Sequence, residues 1–258
     1  MNQLSSTAES DILSVDIGAT TIKFGVVDAN GRLVDEVVRV PTPYPCSPDR
    51  LVSLVAEAIV SSGCTKVGVG FPGDLRDGLV VEPGNLARPG GFTSSVDSAL
   101  HDRWRNTNLQ RTFCDATHRD VRVVNDATLA ALGCCEGTGN ELVFTLGTGF
   151  GIALVVDGSL VRIRDVGAEI FVENESYDRL LGDHARSLDQ ERWTVLLVRA
   201  VDGFVDEFDA TTVHLGGGNS RRVNLASFGS KSYRIVVNDN NATLSGAAKL
   251  FSPELMGS

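Results

Sequence analysis

An acidic residue and a glycine-rich turn follow two apolar runs in the middle of this 258-residue sequence. The β-branched run Val121–Val124 predicts a buried strand, and Asn125-Asp126 comes directly after it. A second apolar run, Val143–Leu146, breaks into the turn Gly147–Gly151. A carboxylate at a strand end can accept the proton of an attacking hydroxyl, and glycines leave backbone N–H groups open to phosphate oxygens. These residues predict a site of phosphoryl transfer in which Asp126 is the base.

A similar arrangement stands near the start of the chain. The apolar run Ile12–Val15 leads through Asp16 to the small polar turn Gly18–Thr21. Asn30-Gly31 is a strong hairpin signal, and Leu33–Val40 is then expected to form a third strand. The segment is therefore predicted to be a β-meander with an acid at the mouth of its first turn.

The two glycine turns open segments that match in register. Asp28 follows Gly18 by ten residues, and Asp157 follows Gly147 by ten. Both segments end in Val-Val-Asp, and both resume with Leu-Val. Several coincidences in one register indicate a duplicated unit. Two α/β lobes, each opened by its own β-meander and phosphate turn, are therefore expected.

The remaining segments alternate between helix-like and strand-like patterns, which is typical of the α/β class. Predicted helices are Asp49–Ser61, Val96–Arg105, Ala127–Gly133, Tyr177–Leu188, Glu191–Phe208 and Ala242–Phe251, and predicted strands are Lys66–Phe71, Val213–Leu215 and Tyr233–Val237. Residues 74–91 are expected to be loop-rich. The predicted organisation is a flexible tail (1–11), an N-terminal lobe (12–125), a C-terminal lobe (126–252) whose last helix can pack back across the lobes, and a tail (253–258).

Composition narrows the classes of function. The net charge of −10 argues against nucleic acid and against an anionic membrane surface as partners. The sequence has no apolar run long enough to span a membrane and no apolar signal core near its start, so a cytoplasmic protein is expected. The five cysteines have no CxxC spacing, which favours buried free thiols and predicts no zinc site. His184 and His214 are interpreted as structural or solvated.

Other interpretations of the same residues are weaker. His118-Arg119-Asp120 with Asn125 fits the spacing of a protein-kinase catalytic loop, but the residues between form a strand and no DFG motif follows. The sequence contains no GxxxxGK[ST] phosphate loop. Asp126 can also act as a helix N-cap, which does not exclude a catalytic role.

Six motifs in one order resemble the ROK family of sugar kinases, and within it the polyphosphate glucokinase branch most of all. They are Asp16-Ile-Gly18 with Lys23, Gly70–Gly73, Asn125–Ala127, Gly147–Gly151, Gly216–Gly218 and Asn241–Ala248. The resemblance covers residues 12 to 250 and implies the two-lobed actin-like ATPase fold, also described as ribonuclease H-like. The family's Cys-rich zinc loop is missing, and no N-terminal helix-turn-helix of a ROK repressor is present.

By this resemblance, the chain is a kinase that phosphorylates a hexose, with the 6-hydroxyl of glucose the expected acceptor. Asp126 would be the general base. Asp16 would hold Mg²⁺ through water, and ATP or polyphosphate would be the donor. Sugar-binding roles are implied for Asn85, Asn125, Asp126, Asp165 and Glu169. Phosphate- or nucleotide-binding roles are implied for Asp16, Gly18, Thr20, Thr21, Lys23, Gly147, Thr148, Gly149, Gly151, Gly216, Gly217 and Gly218. The resemblance also implies a homodimer.

The family's sugar clamp, Glu-x-Gly-His, is altered in this sequence. Asp165-Val166-Gly167-Ala168 stands at the matching place, followed by Glu169. Loss of hydrogen bonds to buried sugar hydroxyls costs on the order of 1–3 kcal/mol each. Two hypotheses therefore remain open: an active kinase, for glucose or for another acceptor, and a weakly active or non-catalytic protein that binds a sugar or nucleotide. The sequence does not decide between ATP and polyphosphate.

Overall fold

The structure, a computed structural model, describes residues 10–252 apart from the side chain of Thr93. The chain packs as two compact units: the first runs to Gly133 and resumes at Thr243, and the second is Cys134–Ala242. The predicted tails fall largely on residues 1–9 and 253–258, which lie outside the described residues. The predicted lobe boundary after Asn125 stays a prediction.

The first unit contains the predicted meander followed by alternating helices and strands. Its elements in chain order are β1 (Ile12–Ile17), β2 (Thr21–Val27), β3 (Val38–Pro41), α1 (Pro48–Ser62), β4 (Lys66–Phe71), β5 (Asp74–Arg76), β6 (Leu79–Glu82), 3-10 turns at Gly84–Ala87 and Gly91–Thr93, α2 (Ser98–Arg105), α3 (Leu109–Thr117), β7 (Asp120–Asn125) and α4 (Asp126–Cys134).

The main sheet of this unit has five strands in the order β3-β2-β1-β4-β7. The first three strands form an antiparallel meander, and β4 and β7 continue the sheet parallel to β1. Asp16 is paired with Gly70, and Phe71 is paired with Asn125. The carboxyl ends of the three parallel strands therefore meet at one edge, which is where open α/β sheets bind ligands.

Helix α1 shows how local sequence sets the boundaries of an element in this unit. Ser47 caps it by accepting a hydrogen bond from the Arg50 backbone, Pro48 occupies the first turn, and Gly63 ends it in the left-handed conformation (φ 74°). The periodic apolar residues of α1 then join the strand side chains in the first core.

The second unit repeats this plan. Its elements are β8 (Asn140–Leu146), β9 (Phe150–Val156), β10 (Ser159–Val161), β11 (Ile170–Val172), β12 (Glu175–Ser176), α5 (Tyr177–Leu181), α6 (Asp183–Leu188), α7 (Gln190–Phe208), β13 (Thr212–Gly216), 3-10 turns at Ser220–Arg222 and Leu225–Phe228, and β14 (Arg234–Val237). Its sheet order is β10-β9-β8-β13-β14, with an antiparallel meander joined to two parallel strands as in the first unit. The predicted α/β class and duplicated meander are thereby confirmed.

The last helix, α8 (Ala242–Leu250), packs within the first unit apart from its first residue. Glycines allow it to lie close to its neighbours. A Cβ at Gly68 would come within 2.6 Å of the Ala247 side chain, and one at Gly246 would lie 2.0 Å from the Leu129 carbonyl oxygen. The end of α8 is held by Arg122, whose guanidinium donates to the Leu250 carbonyl.

Some local predictions were wrong. The expected strand over 33–40 is regular only at β3, and Leu33 makes an isolated bridge to Val27. The supposed loop over 74–91 contains the β5–β6 hairpin, and helix α3 was missed. The single helix predicted over 177–188 is split at Gly182 into α5 and α6. Within residues 10–252, no helix is both long and apolar enough to cross a membrane.

Candidate active site

An ion pair between Asp16 and Lys23 spans the β1–β2 hairpin at the edge of the first sheet. Asp16 and Lys23 are cross-strand partners, and their Oδ2 and Nζ atoms lie 3.0 Å apart. Both side chains are mostly buried, with 13% and 15% of their surface exposed. A carboxylate in this position suits a hard cation such as Mg²⁺, which takes oxygen ligands and keeps much of its water. The ammonium beside it suits phosphate oxygens.

Hydroxyl groups hold the turn between these two strands. The Gly18 N–H donates to the Thr21 carbonyl at 3.0 Å, and a Cβ on Gly18 would lie 2.8 Å from that same oxygen. Thr42 Oγ1 donates to the Gly18 carbonyl at 2.6 Å, while the Tyr44 hydroxyl donates to the Ala19 carbonyl at 2.7 Å. Burial raises the pKa of Tyr44, so its hydroxyl stays protonated and remains a donor.

The predicted base stands at the junction of β7 and α4. Asn125 ends the strand and caps the helix: its Oδ1 accepts from the backbone of Ala127 at 2.9 Å and of Thr128 at 3.2 Å. Its Nδ2 donates to the Gly73 carbonyl at 3.0 Å. The amide of Asn125 therefore serves the main chain at both ends, which is a positioning role that the sequence did not reveal.

Asp126 is the first residue of α4 and is half-buried. Its Oδ1 accepts from the Ala127 N–H at 2.8 Å, and the helix N-terminus favours its negative charge. The neighbouring strand comes close at Gly70, where a Cβ would lie 3.3 Å from the Asp126 Cα and 2.9 Å from a Leu129 methyl. The carboxylate is thus fixed by its backbone position and by local hydrogen bonding.

Asn85 belongs to a turn that is tied to the same segment as Asn125. It lies in the 3-10 turn that begins at Gly84, whose φ is +55° and whose Cβ would stand 2.6 Å from the Pro72 carbonyl. Because Asn125 donates to Gly73, the loop carrying Asn85 and the end of β7 meet at Pro72-Gly73. The structure therefore brings the sequence regions of Asn85, Asn125 and Asp126 together.

Hydrogen bonds from neighbouring segments hold the glycine turn of the second unit. It joins β8 to β9, and its Gly147 N–H donates to the Gly149 carbonyl at 3.1 Å. The Gly147 carbonyl accepts from the Asp183 backbone at 2.8 Å and from Asn219 Nδ2 at 3.2 Å. These bonds place the turn against the start of α6 and the segment after β13.

The glycines of the two glycine segments, Gly147–Gly151 and Gly216–Gly218, have different surroundings. Gly217 has a φ of +82°, and a Cβ there would lie 2.4 Å from the Leu146 carbonyl, so the fold itself requires glycine. At Gly147 and Gly218, by contrast, a Cβ would meet no atom of the described residues within 4 Å. Packing among these residues therefore does not require glycine at the two open positions.

In the altered clamp, both acidic groups have partners from the second unit. Asp165 Oδ1 accepts from the Gly167 backbone at 3.0 Å, and Ala168 is exposed. Arg164 Nε lies 2.9 and 3.1 Å from the two Glu169 oxygens, and its Nη1 lies 3.0 Å from Glu207. Hydrogen bonds to these two glutamates raise the pKa of Arg164 further. The clamp loop is therefore a charged, mutually bonded surface.

The sequence did not predict the contacts of Asp178 or of the trio Cys135, Glu141 and His214, because these contacts join residues that are distant in the chain. No local sequence pattern marks Asp178, yet its Oδ1 accepts a hydrogen bond from the Phe150 N–H, 28 residues away, at 2.7 Å. Cys135, Glu141 and His214 form a buried trio of types that could hold a metal ion, with ligand atoms within 4.8 Å of one another. Glu141 already accepts from His214 Nε2 at 2.8 Å and from the backbone of Glu136, Gly137 and Thr138. These contacts describe a hydrogen-bonded network between β8 and β13.

The two α/β units, whose sheets have matching strand orders, have the architecture of the actin-like ATPase fold. A family model described as "ROK family" matches residues 12–169, which is more than half of the chain. The chain belongs to the ROK family.

Comparison with individual proteins gives the same result. A polyphosphate glucokinase of Mycobacterium leprae is 29% identical over 164 residues, a match that spans 59% of this chain and 46% of that relative. A polyphosphate glucokinase of Mycobacterium tuberculosis (strain ATCC 25177 / H37Ra) is 25% identical over 84% of this chain and 81% of its own length. The solved inorganic polyphosphate/ATP-glucomannokinase of Arthrobacter sp. strain KM is 30% identical, with a TM-score of 0.79 over 93% of this chain and 98% of that one.

The named relatives are kinases that transfer phosphate to a sugar. They confirm the predicted enzyme class, a phosphotransferase with an alcohol group as acceptor, and the resemblance to polyphosphate glucokinases. The coarse function is that of a sugar kinase. The roles of individual residues, the acceptor and the donor stay predictions.

Proposed function

We propose that this protein transfers the terminal phosphoryl group of polyphosphate or ATP to the 6-hydroxyl of glucose, with Asp126 as general base. The junction of β7 and α4 carries the proposal. There a half-buried carboxylate stands at the carboxyl end of a strand, its backbone held by the Asn125 cap and by the close approach of Gly70. A residue that only capped the helix would not be needed, because Asn125 already does so.

In the proposed reaction, the hydroxyl oxygen of the sugar attacks the terminal phosphorus while the bond to the leaving phosphate oxygen breaks. Asp126 accepts the hydroxyl proton, and the donor leaves as ADP or as polyphosphate shortened by one unit. Such transfer depends on positioning and charge stabilisation more than on covalent chemistry by the protein. A positioned base contributes about 10²–10⁴-fold.

For the donor, we assign the phosphate oxygens to the backbone of Gly147–Gly151 and Gly216–Gly218, and to Lys23. The open space at Gly147 and Gly218 supports this assignment, because those positions can admit a ligand close to the backbone. Asp16 is the candidate for holding Mg²⁺ through water, beside Gly18, Thr20 and Thr21. A bound Mg²⁺ would neutralise charge on the donor phosphates. The Arthrobacter relative is named for both donors, and we extend both to this chain.

For the acceptor, we assign Asn85, Asn125, Asp126, Asp165 and Glu169 to the sugar. The altered clamp favours testing a second acceptor, because Ala168 cannot form the hydrogen bonds of a histidine and Glu169 is shared with Arg164. The Arthrobacter enzyme is named a glucomannokinase, so mannose is the first alternative. A homodimer, expected from the resemblance, is proposed as the assembly and is checked by light scattering.

The test is a coupled assay of phosphate transfer to glucose and mannose, with ATP and polyphosphate tried separately. Asp126→Asn removes the base with little change in shape and is expected to lower turnover by about 10²–10⁴-fold. Asp120→Asn is the matched control, since Asp120 begins the same strand and is exposed. Full turnover by Asp126→Asn would refute the assignment of the base. Sugar binding without turnover by the unaltered protein would favour the non-catalytic alternative.

A further inference from the structure

Helix α5 lies between two segments with different proposed tasks. On one side is the glycine turn Gly147–Gly151, assigned to the donor, and on the other is the clamp loop 165–169, assigned to the acceptor. The carboxylate of Asp178 stands between them. Its Oδ1 accepts from the Phe150 N–H at 2.7 Å, and a Cβ at Gly149 would lie only 2.5 Å from this oxygen.

The clamp loop approaches the same carboxylate. A Cβ on Gly167 would lie 2.9 Å from Asp178 Oδ1 and 3.0 Å from Oδ2. The backbone of Asp178 donates to the Gly167 carbonyl at 2.9 Å, and that of Tyr177 donates to the Glu169 carbonyl at 3.1 Å. A side chain at Gly149 or Gly167 would therefore displace the carboxylate.

The far end of α5 returns to the glycine turn. Gly182, which follows the helix, donates to the Asp178 carbonyl at 3.0 Å, and a Cβ there would lie 2.3 Å from the Thr148 carbonyl. The next residue, Asp183, donates to the Gly147 carbonyl at 2.8 Å. The start of α5 thus bonds to both the clamp loop and the turn, and the first residue of α6 bonds to the turn again.

We infer that Asp178 is a positioning residue that holds the donor turn and the acceptor loop in a fixed relation. The inference rests on the proposed function and adds a residue to it. Asp178 acts through the Phe150 N–H and the two glycines. Its loss would let the turn and the loop shift separately, and a displacement of about 1 Å can cost 10²-fold in rate.

The kinetic test compares three variants. Asp178→Ala removes the acceptor of the Phe150 N–H and is expected to lower kcat/KM for donor and for acceptor by about 10- to 100-fold. Asp178→Asn keeps an oxygen at the same place and is expected to restore most of that loss. Asp189→Ala is the matched control, since Asp189 accepts a backbone N–H at the start of α7, from Arg192 at 2.9 Å. A purely structural role would lower the melting temperature of both alanine variants and leave their kinetics alike.

A second measurement does not depend on activity. Hydrogen exchange followed by mass spectrometry should show faster exchange in Asp178→Ala for peptides covering 147–151 and 165–169, but not in Asp189→Ala. If the unaltered protein is inactive, the proposed function fails while the exchange result still tests the coupling of the two segments. Unchanged exchange in both peptides, or kinetics of Asp178→Ala equal to those of Asp189→Ala, would overturn the inference.

Discussion

Substitution of Glu141 tests the buried hydrogen-bonded network that joins β8 to β13 in the second sheet. Glu141 and His214 are each 1% exposed, and they join β8 to β13, the strands that lead into the two glycine segments. The Glu141 carboxylate accepts from His214 and from three successive backbone N–H groups. Glu141→Gln keeps the shape but replaces one acceptor oxygen with an NH₂ group.

The expected loss of stability follows from counting donors. The glutamine oxygen can keep the N–H groups of Gly137 and Thr138, while the NH₂ then faces the Glu136 N–H and His214. The imidazole can accept by changing its tautomer, but the Glu136 N–H is left without an acceptor. One unsatisfied buried donor costs about 1–3 kcal/mol, and losing charge-assisted bonds adds to this. We expect the free energy of unfolding to fall by about 2–4 kcal/mol.

The pH dependence of stability gives a second test of the Glu141 carboxylate. Burial raises the pKa of Glu141, but hydrogen bonds from Glu136, His214 and Gly137 outweigh it and hold the pKa below its ordinary value. A lowered folded-state pKa stabilises the fold above the unfolded-state pKa, about 4.3, and that stability is lost as pH falls through the folded value. The difference between the unaltered protein and Glu141→Gln should therefore be largest near neutral pH and shrink below about pH 4.

The assay is urea unfolding followed by tryptophan fluorescence. Trp193 is buried in the second unit, and a Trp104→Phe background makes it the reporter. Glu207→Gln, at an exposed ion pair of the same unit, is the control and should unfold almost as the background protein does. Equal stability of Glu141→Gln and the control would refute this account. So would stability that is lost on dialysis against a chelator and regained with Zn²⁺, since Cys135, Glu141 and His214 would then be metal ligands.

Two further predictions concern the glycines and the clamp. Gly217→Ala is expected to lower the melting temperature and the turnover, because Gly217 has a φ of +82° and a Cβ there would lie 2.4 Å from the Leu146 carbonyl. Gly218→Ala should melt normally but raise the KM for the donor. Equal behaviour of the two variants in melting and initial-rate assays would contradict this. Arg164→Ala should leave the melting temperature nearly unchanged, because the Arg164–Glu169 ion pair is exposed. It should raise the KM for the sugar without changing the KM for the donor. An unchanged KM for the sugar would exclude the hypothesis that Arg164 positions Glu169 for sugar binding.

Periodic patterns predicted the elements whose order depends on local sequence. Helices α1 and α7 and strand β4 lie within one residue of their expected ends, because capping residues and apolar spacing mark them. The β5–β6 hairpin was missed although a local signal was present. Asp77-Gly78 is a hairpin dipeptide, and both residues have the positive φ that such a turn requires, 51° and 76°.

Contacts between distant residues explain the other errors. The helix predicted over 177–188 is interrupted at Gly182, where the backbone is extended and the Thr148 carbonyl lies 2.3 Å from the place of a Cβ. No periodicity within the helix carries that information. The same holds for Asp178 with Phe150 and for Glu141 with His214, which are 28 and 73 residues apart. The predicted base at Asp126 depended on adjacent residues alone, and its helix and strand could therefore be predicted.

The duplicated hairpins differ in the polarity of the groups that hold their turns. In the first unit, the hydroxyls of Thr42 and Tyr44 donate to carbonyls of the turn, and Asp16 pairs with Lys23 across the strands. In the second unit, the carboxylate of Asp178 accepts an N–H from the strand that follows the turn. The place matching Asp16, two residues before the first glycine, is Thr145, so the second hairpin lacks this acid. The first copy thus has an acid and a lysine on its hairpin, whereas the second lacks the matching acid and has open space at Gly147. Groups of both kinds suit phosphate binding with or without transfer, whereas a general base such as Asp126 is needed only for transfer, and this favours the proposed kinase over a protein that only binds.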